Sequence, residues 1–93
     1  MTVVNVGEVW YTIAREISEQ DANASIKELR DLRIQFVDVD WALTQEAARF
    51  KSQHKMSYAD CYAAALAKSY KSDLVTGDKE FKSVEGEIKI QWE

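Results

Sequence analysis

Segments with helical periodicity alternate with short runs of strand formers along most of this chain, and that alternation limits the fold more than any other feature. Residues 3–17 carry Val6, Val9, Trp10, Ile13 and Ile17 at helical spacing, and residues 24–32 carry Ile26, Leu29 and Leu32. Residues 34–39 (Ile-Gln-Phe-Val-Asp-Val) are rich in strand formers. A third helix is expected over 41–53 with Leu43, Ala47 and Phe50 inward, and a fourth over 57–70 with Tyr58, Cys61, Tyr62, Ala65 and Leu66 inward. Two more strands are expected at 73–76 and 87–92. This order predicts an α/β domain with a mostly parallel sheet, in which ligands bind beyond the carboxyl ends of the strands. Val3, Val4 and Val6 at the start look like the end of a buried strand running into a helix.

Ninety-three residues predict one domain, spanning 1–93. Apolar residues make up 46% of the chain, which is enough for a core and argues against disorder. The net charge of −4 gives no general support for nucleic-acid binding, so any such role has to rest on particular positions. A single cysteine excludes an internal disulfide. No apolar run reaches the roughly 18 residues of a membrane span. No basic segment precedes an apolar one as in a signal peptide, and a cytoplasmic location is expected.

Three acids stand where chemistry could occur, and each also has a structural reading. Asp78 follows a strand end, where it could carry chemistry or could cap a short helix over 79–82. Asp60 lies in Ser57-x-x-Asp60, which has the form of a capping box; Ala64 and Ala67 on its stripe would let a backbone or a substrate come close. Glu8 shares a helix face with Asn5 and Thr12, where acids are usually solvated. Taken together, carboxylates are the oxygen donors preferred by hard divalent cations, and such cations activate water for attack at phosphorus.

Three ordered segments carry a family resemblance. The segment 3–9 (VVNVGEV) is similar to the Asn/Glu helix start of PIN-domain proteins of the VapC toxin type. Residues 56–67 (MSYADCYAAALA) resemble that family's second acidic helix, and 74–81 (LVTGDKEF) its Thr-x-Asp-x-x-Phe motif. The resemblance implies a three-layer α/β/α domain and a Mg²⁺- or Mn²⁺-dependent ribonuclease, with Glu8, Asp60 and Asp78 as the metal-site carboxylates. It also implies support from Asn5, Ser57 and Thr76, an RNA substrate and a small antitoxin partner. Lys79 and Lys82 flank the acids and are candidates for RNA phosphates.

The family's first, central strand and its aspartate have no counterpart here, so the chain resembles the C-terminal two-thirds of the domain. An open sheet edge is then expected, and with it a homo-oligomer or strand-swapped assembly. The alternative function is a catalytically inactive fragment that oligomerises or binds an antitoxin. A generic α/β domain whose acids are all caps and turns is a third reading. Elsewhere, His54 reads as a lone surface histidine, Cys61 as a core residue, and Trp10, Trp41 and Trp92 as core or interface anchors.

Overall fold

Thr2 sets where the first helix begins. In extended geometry, its hydroxyl accepts the Asn5 N–H at 3.1 Å and donates to the Asn5 side-chain oxygen, so α1 (Val3–Glu16) starts with its first turn closed. The computed structural model describes all residues, 1–93, in two compact units, Met1–Asp38 and Val39–Glu93. No helix is long and apolar enough to cross a membrane.

In the first unit, α1 packs on α2 (Glu19–Asp31), and the Trp10 indole N–H donates to the Asn23 side chain at 2.9 Å. The sequence pattern places the start of α2 at residue 24, but the helix begins five residues earlier. Ser18 is the cause. Its hydroxyl accepts the Asp21 N–H at 3.0 Å and donates to the Asp21 carboxylate at 2.7 Å, which launches a polar first turn that apolar periodicity cannot register. The helix ends with Arg33 at φ 62°, where the Ile34 N–H reaches the Leu29 carbonyl and the Arg33 N–H reaches that of Arg30. That is a Schellman ending with arginine in the position glycine usually takes.

The strand expected over 34–39 reduces to one parallel bridge, Thr2 to Val37. The Val3 N–H donates to the Val37 carbonyl at 3.0 Å, and the Val37 N–H to the Met1 carbonyl at 2.8 Å. Pairing runs no further because Thr2 turns the chain into α1, so Asp38 and Val39 have no extended partner there. The strand-like reading of the opening residues fits this bridge, although Val3 and Val4 already lie in the helix.

In the second unit, Asp40 caps α3 (Trp41–Gln53) by accepting the Leu43 N–H at 2.9 Å, and Ser57 caps α4 (Tyr58–Ser69). The two helices pack through Leu43, Ala47 and Phe50 on one side and Cys61, Tyr62, Ala64 and Ala65 on the other, all buried. The Tyr62 hydroxyl donates to Thr44 Oγ1 at 2.8 Å across the pair. Strand β1 (Leu74–Thr76) pairs in parallel with β2 (Ile90–Trp92), with Leu74 opposite Ile90 and Thr76 opposite Trp92. A parallel pair needs a long crossover; here residues 77–89 supply it, built around a 3-10 helix (Lys79–Val84) whose Phe81 and Val84 are buried.

The class is therefore α/β with a parallel sheet, as the alternation predicts, but the sheet has two strands. The last strand also starts later than 87, because the Glu87 and Ile88 N–H groups are both taken by the Val84 carbonyl.

Candidate metal centre

Asp60 and Asp78 are brought together by two local devices. Ser57, extended at the start of α4, accepts the Asp60 N–H at 3.1 Å and so holds Asp60 in the first turn, half-buried. At the end of β1 the Thr76 hydroxyl accepts the Asp78 N–H at 3.0 Å. The Asp78 carboxylate in turn accepts the Glu80 N–H at 2.9 Å and caps the 3-10 helix. This double turn folds residues 76–80 so that Glu80 comes back beside Asp78.

One carboxylate oxygen each from Asp60, Asp78 and Glu80 then lies within 4.8 Å of the others. The three donors suit a hard divalent cation in type and in spacing. Two ligands about 2.1 Å from one ion can be at most about 4.2 Å apart, so small rotations of the two exposed acids would close the set. Without a cation, the same spacing sets like charges against one another at about 0.9 kcal/mol per pair in bulk-water dielectric.

Glu80 is the residue that motif reading missed. It lies inside the segment 74–81 but at a position the pattern leaves open. Glu8 is half-buried on α1 in the first unit, and Asn5 forms the cap with Thr2 at the start of that helix. Ser57 and Thr76 act on the acids through the backbone N–H groups of Asp60 and Asp78. Ala64 and Ala67 are closed off within the fold, at 0% and 5% exposure, so their small size admits protein neighbours and leaves no room for a substrate.

Lys79 and Lys82 line one cleft together with Glu85 and Trp92. His54 is half-buried rather than a surface residue, and its Nε2 lies 2.9 Å from the Glu87 carboxylate, a partner 33 positions away in sequence. Cys61 is fully buried; burial pushes its thiol pKa up, Lys51 opposes this and Asp60 adds to it. None of the three tryptophans is a core residue: Trp10 is half-buried, while Trp41 and Trp92 are 70% and 44% exposed.

A family model for the PIN domain matches residues 1–87. The chain belongs to the PIN-domain family. No curated protein and no solved structure matches it significantly. PIN domains form a nuclease family that acts on RNA and usually employs a divalent metal, and the cluster of Asp60, Asp78 and Glu80 could hold one. Four helices followed by a small parallel two-stranded sheet are consistent with the PIN-like α/β fold.

Proposed function

We propose that this PIN domain is a metal-dependent endoribonuclease of the toxin type, hydrolysing phosphodiester bonds with Mg²⁺ or Mn²⁺. The observation that carries the reading is the approach of Asp60, Asp78 and Glu80 to within 4.8 Å of one another in a member of a nuclease family. When bound, the cation supplies a water of lowered pKa and offsets charge at phosphorus.

The chain's own residues have separate tasks in this scheme. Asp60 and Asp78 hold the cation, with Glu80 as an added carboxylate. Ser57 and Thr76 fix the backbone beneath Asp60 and Asp78, which limits how far these side chains move during a turnover. The family motif also assigns Glu8 a carboxylate role and Asn5 a supporting one, and Lys79 and Lys82 are the cations offered to RNA phosphates. A family match that runs across both units supports treating 1–93 as one PIN-like domain. Similarity to toxin nucleases extends the proposal to a small antitoxin partner, self-association and a cytoplasmic setting.

The test is cleavage of single-stranded RNA by the purified chain with Mg²⁺ or Mn²⁺, and its loss in EDTA. Asp78→Ala and Asp60→Asn should abolish cleavage, and Glu80→Gln should weaken it. Glu8→Gln tests the residue that rests on the motif alone. Unchanged cleavage in Asp78→Ala would remove the assignment.

A further inference from the structure

The 3-10 helix that follows Asp78 has about three residues per turn, so positions three apart line up on one face. Phe81 and Val84 form its buried face. Lys79, Lys82 and Glu85 form another stripe, and with Trp92 they line an open cleft of about 430 Å³, inside the range of roughly 300–1,000 Å³ usual for ligand sites. Trp92 is 44% exposed and pairs with Thr76 in the strand register, while Thr76 is the residue that holds Asp78. The cleft therefore lies beside the acidic loop, since its lining residue Lys79 sits between Asp78 and Glu80 in the chain.

We propose that this cleft is a nucleotide subsite, in which an unstacked base of single-stranded RNA lies on the Trp92 indole and its phosphate is held by Lys79 and Lys82. The proposal rests on the ribonuclease reading and adds to it a place for the substrate next to the cut. An occupant must offer a flat apolar face and an anion a few ångströms apart, which a nucleotide does. An aromatic surface accepts every base, since each has a π face, whereas duplex RNA keeps its bases stacked and closed to it. Glu85 offers an acceptor to an exocyclic amino group and repels a second phosphate, so the subsite takes one nucleotide. Trp92 lies outside residues 1–87, the part of the chain that the family model matches. The subsite is thus read from this chain's own residues.

The experiment is fluorescence anisotropy of a labelled short oligoadenylate with the full chain in EDTA, where binding is measured without hydrolysis. Trp92→Ala should weaken binding by about tenfold or more, and Trp92→Phe should restore most of it. Lys79→Ala and Lys82→Ala should each reduce the slope of log K against log salt by about 0.7. Failure of the unaltered chain to bind, or Trp92→Ala binding within about twofold of it, overturns the subsite. So does equal competition by polyglutamate, which would mark a general cation surface open to acidic proteins. Trp92-dependent binding without metal-dependent cleavage would sink the nuclease reading and leave the subsite standing. Asp78-dependent cleavage with Trp92-independent binding would do the reverse.

Discussion

Replacing Asp78 by asparagine removes one charge while keeping nearly every atom that shapes the loop. Asparagine caps a helix about as well as aspartate, and its side-chain oxygen can still accept the Glu80 N–H that Asp78 now holds at 2.9 Å. The bond from the Asp78 N–H to Thr76 belongs to the backbone and survives as well. What disappears is repulsion from Asp60 and Glu80. With one oxygen of each within 4.8 Å of the others, each pair costs about 0.9 kcal/mol in bulk-water dielectric. A Debye length of about 8 Å at physiological salt reduces this to about 0.5 kcal/mol per pair, or about 1 kcal/mol for two. Against it stands the favourable charge at a helix start, worth about 0.3 kcal/mol for so short an exposed helix. The balance is a metal-free variant more stable by about 0.7 kcal/mol, which in a domain of this size raises Tm by about 3–6 °C.

Divalent metal reverses the order. A cation bound only by the folded chain adds RT ln(1 + [L]/Kd), which is about 2.7 kcal/mol at a hundredfold excess over Kd. The unaltered chain should gain that, and Asp78→Asn should gain little. Thermal unfolding followed by circular dichroism, in EDTA and across a Mn²⁺ titration, reads both terms. The expected result is two curves that cross, with the variant higher in EDTA and the unaltered chain higher in Mn²⁺. At about 0.01 M salt, where screening is weak, the gap in EDTA should widen. A variant that is less stable in EDTA, or two equal responses to Mn²⁺, would refute the idea that these three carboxylates form a metal site.

Other perturbations test the frame around the site. Lys71 ends α4 at φ 50°, with the Ser72 N–H on the Ala67 carbonyl, so Lys71→Gly removes left-handed strain and should stabilise by about 0.5–1 kcal/mol in urea unfolding. Tyr62→Phe breaks the bond to Thr44 and should cost about 1 kcal/mol in the same measurement. The Cys61 thiol should resist iodoacetamide in the native state and react in denaturant, because it is fully buried and its pKa is raised. With that pKa above the unfolded value, the unfolded chain loses the proton first. The Cys61 contribution to stability is therefore full below the ordinary thiol range and falls as pH rises through and beyond it, which alkaline urea titration of Cys61→Ala against the unaltered chain would show.

What could be read from the sequence was whatever neighbouring residues decide among themselves. The caps at Ser57 and Asp78 involve partners two or three positions away, and α3 falls on Trp41–Gln53 as periodicity predicts. The early start of α2 was equally local, since Ser18-x-x-Asp21 has the same form as Ser57-x-x-Asp60. Apolar spacing is silent there because the turn it opens is polar. The strand at 34–39 failed for the opposite reason. Its residues favour extended geometry, but a strand exists only as long as its partner stays extended, and Thr2 ends the partner.

The site obeys the same division. Asp60 and Asp78 were legible because motif order marked them, yet their separation depends on how α4 meets the loop after β1, and nothing in the spacing of 18 positions fixes that. Glu80 was one step beyond reach. Residues two apart on a helix point away from each other and on a strand share a face, so Asp78 and Glu80 meet here through the turn that Thr76 and Asp78 close with their own side chains. The same turn sets the phase of the 3-10 helix, and three-residue phasing, not the 3.6 of an α-helix, aligns Lys79 with Lys82 above a buried Phe81 and Val84. One threonine hydroxyl thus sets both the spacing of the acids and the direction in which the lysines face. Thr76→Val should therefore disturb metal binding and RNA binding together, while Thr76→Ser should keep both. Mn²⁺ titration and oligoadenylate anisotropy on the two variants would separate this coupling from two independent sites, which a Thr76→Val chain losing only one of the two functions would establish.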